Sequence, residues 1–189
     1  LDASLTTNAV ALTDRFLEAA LPSLAWIRAS INAGTPGTYA KIHKTAEKDF
    51  ELVLANMGRA ARLKRDRGLS AAIGAQMVLL PENAGEAVDL ARRARDLGLD
   101  YFTVKPYSQH KASLTRRYEG VSYPDYLRLA DELEKLEDGR FQVAVRRRAL
   151  AKAGAPDRGY TTCHSTPHFW AYLMASGDLY GCSAYLLDD

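Results

Sequence analysis

Two cysteines are the only thiols in the chain, and they frame a specific pattern. Thirteen residues separate Cys163 from Gly177, and four separate Gly177 from Cys182. An apolar run, a Ser-Gly-Asp turn and a second apolar run lie between them, which predicts a β-hairpin. A hairpin with a thiol near each end can present two soft ligands to one metal centre. From spacing alone other readings stay open. The pair could form a disulfide, although a reducing compartment argues against that. Both could be buried as small hydrophobes. Zinc held by Cys163, Cys182, His164 and His168 is a third reading, although structural zinc sites usually carry closely spaced ligand pairs.

A second set of residues falls where strands end. In parallel α/β folds, binding and catalytic groups gather at the C-terminal ends of the strands. That rule selects Asn8, Ser30, Asn32, Gln76, Glu82, Lys105, Tyr107, Gln109 and His110. Ser30 and Asn32 flank Ile31, so alternation points both to one face, toward a ligand or toward a turn at Gly34. Gln76 is an amide inside an apolar run. Burying it unpaired costs about 1–3 kcal/mol, so it needs a partner, either a ligand or a structural hydrogen bond. Lys105, just before Pro106, could hold an anionic group or simply be solvated. His43 reads as a helix-surface residue, and His110 as a loop residue.

The elements that must position these groups follow from periodicity. Strand patterns cover Leu1–Thr7, Trp26–Asn32, Ala71–Leu80, Tyr101–Lys105 and Phe141–Val145. Helical patterns cover Leu12–Leu21, Ala84–Leu97 and Tyr123–Leu136. A long helix is predicted from Thr35-Pro36 through Arg67, with Phe50, Val53, Leu54, Met57, Ala60 and Ala61 on its buried stripe and Gly68 ending it. Asn83 and Glu86 have capping-box spacing, and Gly98 suits the C-terminal cap. Strands alternating with helices imply a parallel sheet with right-handed crossovers. No glycine-rich nucleotide loop of the usual spacings is present, which favours a barrel or partial barrel over a doubly wound sheet. Gly154-Ala155-Pro156-Asp157 divides a scaffold, residues 1–153, from an appendage, residues 154–189.

Composition sets outer limits. The 189 residues are 47% hydrophobic and 25% charged, ordinary values for a globular chain. A net charge of +2 does not suggest a nucleic-acid partner. The basic clusters at 59–67 and 146–148 stand out. The first lies on a helix that is apolar on its other face, so it reads as a solvated face. No apolar run approaches the roughly 18 residues of a membrane helix. No signal peptide is evident, so a cytoplasmic location is expected.

Taken together, these segments resemble the radical S-adenosylmethionine enzymes that carry a C-terminal SPASM or twitch extension. Residues 27–43, from Ile27-Arg-Ala-Ser30-Ile-Asn32 to His43, look like the fourth strand and following helix of that family's partial barrel. Residues 104–110, Val-Lys-Pro-Tyr-Ser-Gln-His, look like the end of its sixth strand, and Leu5-Thr-Thr-Asn8-Ala looks like its third. Cys163-x₁₃-Gly177-x₄-Cys182 fits the opening of the extension.

The resemblance implies an α/β partial barrel followed by a small hairpin extension. It implies S-adenosylmethionine contacts at Asn8, Ser30, Asn32, Gln76, Lys105 and Tyr107, and auxiliary-cluster ligation by Cys163 and Cys182. In the family, a [4Fe–4S] cluster fed by an external electron donor splits S-adenosylmethionine, and the resulting radical takes a hydrogen atom from a peptide or small-molecule substrate such as a sugar. The family's C-x₃-C-x₂-C motif is absent here, and two thiols are half of a four-thiolate set. The chain is therefore expected to be a fragment, beginning near the third strand and stopping after the first hairpin of the extension. A cluster-free α/β binding or interaction module and a zinc protein are the alternatives.

Overall fold

The computed structural model describes residues 2–110, 113–123, 126–153, 162 and 171–183. Five parallel strands form one sheet: β1 (Ala3–Thr7), β2 (Leu24–Ser30), β3 (Ala72–Leu79), β4 (Tyr101–Pro106) and β5 (Gln142–Val145). Their order in the sheet is their order in the chain. A doubly wound sheet reverses direction partway and covers both faces. With parallel neighbours in chain order, right-handed crossovers return each helix to the same face, as in a barrel wall. The architecture is the expected partial β/α barrel.

Register explains which face is which. Ala29, Ala75, Phe102 and Val143 are neighbours in one row, with Ile27 beside Ile73 and Met77 beside Val104. All are at most 7% exposed and pack under the helices. The alternate residues, among them Arg28, Ser30, Gln76, Thr103 and Lys105, face the other way. The sheet is thus apolar toward its helices and polar on its inner face.

The helices are α1 (Asp14–Ala20), α2 (Pro36–His43), α3 (Lys48–Arg67), α4 (Ala87–Asp96), α5 (Leu127–Glu134) and α6 (Arg147–Lys152). The predicted α3 stripe is buried in full, and Gly68 and Gly98 follow their helices at φ +61° and +80°. Two expectations are corrected and one helix is added. The single helix from Pro36 to Arg67 is two, because Lys44 turns left-handed at φ 54° and Thr45 N donates to Ala40 O. β2 ends at Ser30 rather than Asn32, since the Asn32 side chain takes over the next ladder position by accepting from Val78 N at 2.8 Å. The short helix α6 carries the arginines at 147 and 148 and was not predicted.

The C-terminal hairpin pairs β6 (Tyr172–Leu173) with β7 (Leu179–Tyr180), antiparallel as expected. Its turn closes through Gly177 N to Met174 O and Met174 N to Asp178 O, both 2.9 Å, with Gly177 at φ +96°. No helix among the described residues is long and apolar enough to cross a membrane.

Candidate functional site

The inner face carries its polar side chains in register. Ser30 pairs with Gln76, and Gln76 with Thr103. Gln76 is 5% exposed and Thr103 7%. None of the three side chains hydrogen-bonds a described residue, and their polar atoms are not among the fully buried atoms without a partner, so they are open to the inner face. A buried carboxamide beside two hydroxyls offers donors and acceptors to a polar ligand.

One row nearer the N-terminal end lie Arg28, Gly74 and Tyr101. Tyr101 lies flat across Gly74, whose missing Cβ would sit 2.2–2.4 Å from three ring carbons. Only glycine accepts that approach. Arg28 sits 4.9 Å from the Trp26 ring centroid and reaches Thr6 Oγ1 at 3.4 Å, while its Nε is buried with no partner.

The strand ends are held by a second set of residues. Asn83, fully buried, accepts from Leu80 N at 2.8 Å and donates to Asn32 O at 2.9 Å and Val78 O at 3.0 Å. Glu86 accepts from Gly34 N at 2.7 Å, Thr35 N at 3.2 Å, Thr35 Oγ1 at 2.9 Å and Thr38 Oγ1 at 2.6 Å. The capping-box reading of this pair is therefore corrected. Both side chains reach back to the loop after β2 rather than to their own helix, because orphan backbone groups at that loop need partners. Burial alone would raise the Glu86 carboxyl, but the bonds from Thr38, Gly34 and Thr35 hold it below the usual carboxylate range. His43, expected on the helix surface, is half-buried. It stacks on Tyr39 with centroids 4.3 Å apart, and its Nε2 accepts from Asn32 N at 3.3 Å. Burial lowers its pKa.

Beyond β4, Tyr107 N donates to Tyr123 Oη at 2.9 Å, and Tyr123 Oη donates to Leu79 O at 3.0 Å. Tyr107 Oη donates to Gln109 Oε1 at 2.9 Å. The following His110 donates from Nε2 to Ser183 O at 2.7 Å, linking this loop to the residue after Cys182. Glu82 accepts from Tyr118 Oη at 3.0 Å and pairs with Arg117. An open cleft of about 640 Å³ lies beside Lys105 and Tyr107, and Arg146 and Lys152 also line it. Burial, then Arg28 and Arg146, lowers the Lys105 pKa.

The sequence-predicted residues thus divide. Ser30, Gln76, Lys105 and Tyr107 gather at the inner face and C-terminal edge, while Asn32 is held by Val78 and Asn83. Asn8 is exposed at the end of β1, its Oδ1 accepting from Val10 N at 3.2 Å. Cys182 is a half-buried free thiol. Cys163, His164 and His168 lie outside the described residues. Among the described residues no group of three His, Cys, Asp or Glu could hold a metal ion. Sequence reasoning missed Thr103 and Arg28, and assigned Glu86 to its own helix. The alternation through Lys105 and Ser30 could have found the first two.

The chain is similar in fold to SuiB of Streptococcus suis, with a TM-score of 0.70 at 14% identity over 100% of this chain and 45% of SuiB. SuiB bound to S-adenosylmethionine gives 0.67 at 15% identity, covering 100% and 44%. SuiB bound to precursor peptide SuiA gives 0.69 at 14% identity, covering 100% and 44%. The chain spans less than half the length of these structures, and at such identity the likeness shows the fold alone, a partial β/α barrel. No family model and no curated protein matches the sequence.

Proposed function

We propose that this chain is the cofactor- and substrate-facing part of a radical S-adenosylmethionine enzyme acting on a peptide. The observation that carries this reading is the Ser30–Gln76–Thr103 row, three neighbouring polar side chains with no partner among the described residues. Its residues fit the cofactor: Ser30 and Gln76 would hold its hydroxyl and amine groups, and Tyr107 would line its flank. When bound, S-adenosylmethionine supplies the radical that removes a substrate hydrogen. Gln76 would fix the cofactor's position.

The residues do not fit a complete iron–sulfur cluster. Two cysteines are too few for the four thiolates a [4Fe–4S] centre takes. Cys163 and Cys182, in an appendage of residues 154–189, would be part of an auxiliary ligand set, and the hydrogen abstraction would belong to the whole protein. A reducing cytoplasm would suit those thiols. The peptide assignment draws support from SuiB, solved with a precursor peptide bound.

Calorimetric titration of the chain with S-adenosylmethionine tests the reading. Binding is expected, weakened about tenfold by Gln76→Leu, the equivalent of one buried hydrogen bond. Absence of binding, or binding indifferent to Gln76→Leu and Ser30→Ala, would overturn it in favour of a cluster-free binding module.

A further inference from the structure

Three cations gather at the C-terminal edge of the sheet without a counter-ion among the described residues. Lys105, Arg146 and Lys152 line the same 640 Å³ cleft, and no carboxylate is among its described lining residues. None of the three takes part in an ion pair or side-chain hydrogen bond among the described residues. Arg147 behaves differently: it is neutralised by Glu134 at 2.7 Å and by Asp131. Adjacent arginines on one turn are therefore sorted, one toward carboxylates and one toward the cleft. Burial, then Arg28 and Arg146, makes the protonated Lys105 amine less favourable. Like charges gathered in a cleft repel one another and concentrate potential there, and a bound anion relieves both effects. Arginine suits a planar carboxylate because its fork can donate two parallel bonds.

We propose that this cleft is a subsite for a substrate carboxylate, an acidic peptide side chain held by Lys105, Arg146 and Lys152. Calling the ligand a substrate rests on the function proposed above; the anion binding itself needs neither cofactor nor iron.

Fluorescence anisotropy of the full 189-residue chain with a labelled peptide of three glutamates, against the same peptide with glutamines, is the test. The glutamate peptide is expected to bind, to weaken as salt rises, and to lose about tenfold or more in affinity in the Arg146→Gln, Lys152→Gln double variant. The glutamine peptide should not bind. A charge-matched control, Arg15→Gln with Arg62→Gln at exposed positions away from the cleft, should change affinity by less than about twofold. Equal binding of the two peptides, or equal weakening by the control, would overturn the proposal in favour of non-specific attraction. A titration with S-adenosylmethionine separates the sources of carboxylate. If the cofactor alone loses affinity in the cleft variant, the subsite belongs to the cofactor and the substrate assignment falls. If the unaltered chain binds the glutamate peptide but not S-adenosylmethionine, the proposed function fails while the anion site stands.

Discussion

Replacing Glu86 removes the tie between the start of α4 and the loop that follows β2. Four hydrogen bonds, of 2.6 to 3.2 Å, end on its two oxygens. The decisive one comes from Gly34, a buried residue whose N–H would be left without an acceptor. Bonds to charged groups contribute about 1.5–3 kcal/mol each at most, and an orphaned buried donor costs about 1–3 kcal/mol. The threonine hydroxyls can turn to water, so Glu86→Ala is expected to lose about 2–4 kcal/mol rather than the sum. That is a large share of the roughly 5–15 kcal/mol that holds a domain together. For a chain of this size it corresponds to a fall of about 5–15 °C in Tm. Glu86→Gln keeps one acceptor oxygen and should lose about half as much. The pH dependence follows from linkage. The folded carboxyl titrates below its ordinary value of 4.5, so its charged-state contribution is present above pH 4.5 and fades as pH falls through the lower, folded value. Urea melts of the unaltered chain and the glutamine variant at a series of pH values should converge below pH 4.5 and stay apart above it. An alanine variant within about 0.5 kcal/mol of the parent, or a glutamine variant with the same acid profile, would refute the reasoning.

Gly74→Ala should destabilise by about 1–3 kcal/mol because its methyl would enter the Tyr101 ring. Adding Tyr101→Ala should recover part of that loss, and strict additivity in a double-mutant cycle would rule out the contact as the cause. Asn83→Ala leaves Leu80 N without its acceptor and should cost about 3 kcal/mol or more in denaturant melts. Asn83→Asp keeps that acceptor but loses both donations, so it should fall no nearer the parent than the alanine variant. In the anaerobically reconstituted gene product, Cys182→Ser or Cys163→Ser should lower iron content by about four atoms, one cluster, and unchanged iron would remove both thiols from the ligand set.

The scaffold was readable because its signals are local. The apolar run of residues 72–79 and the 3.6-residue stripe of α3 each lie within one element, and both mark it as buried. Gln76 could be picked out for the same reason, since a carboxamide in an apolar run conflicts with its surroundings. The strand ends were less readable. Whether Asn32 continues β2 depends on Val78 and Asn83, about fifty residues later. Asn83 and Glu86 have the spacing of a helix cap, and nothing nearby reveals that their partners lie at Asn32, Gly34, Thr35 and Thr38. Lys44 breaks the long helix with no glycine to announce it. Arg146 was visible only as one of three arginines, because its difference from Arg147 comes from Asp131 and Glu134 on another helix.

The overlap of Tyr101 and Gly74 has a consequence for depth. Rows of inward side chains on a strand are two residues apart, about 6.6 Å. The ring occupies the row immediately beneath Gln76, in the space a side chain at position 74 would have filled. It therefore acts as a floor: a molecule that hydrogen-bonds Gln76 is already at the bottom. Ligand length must then extend upward, past Val78 and Lys105, toward the C-terminal edge. How far a ligand protrudes into solvent is set from below, by a glycine that never touches it.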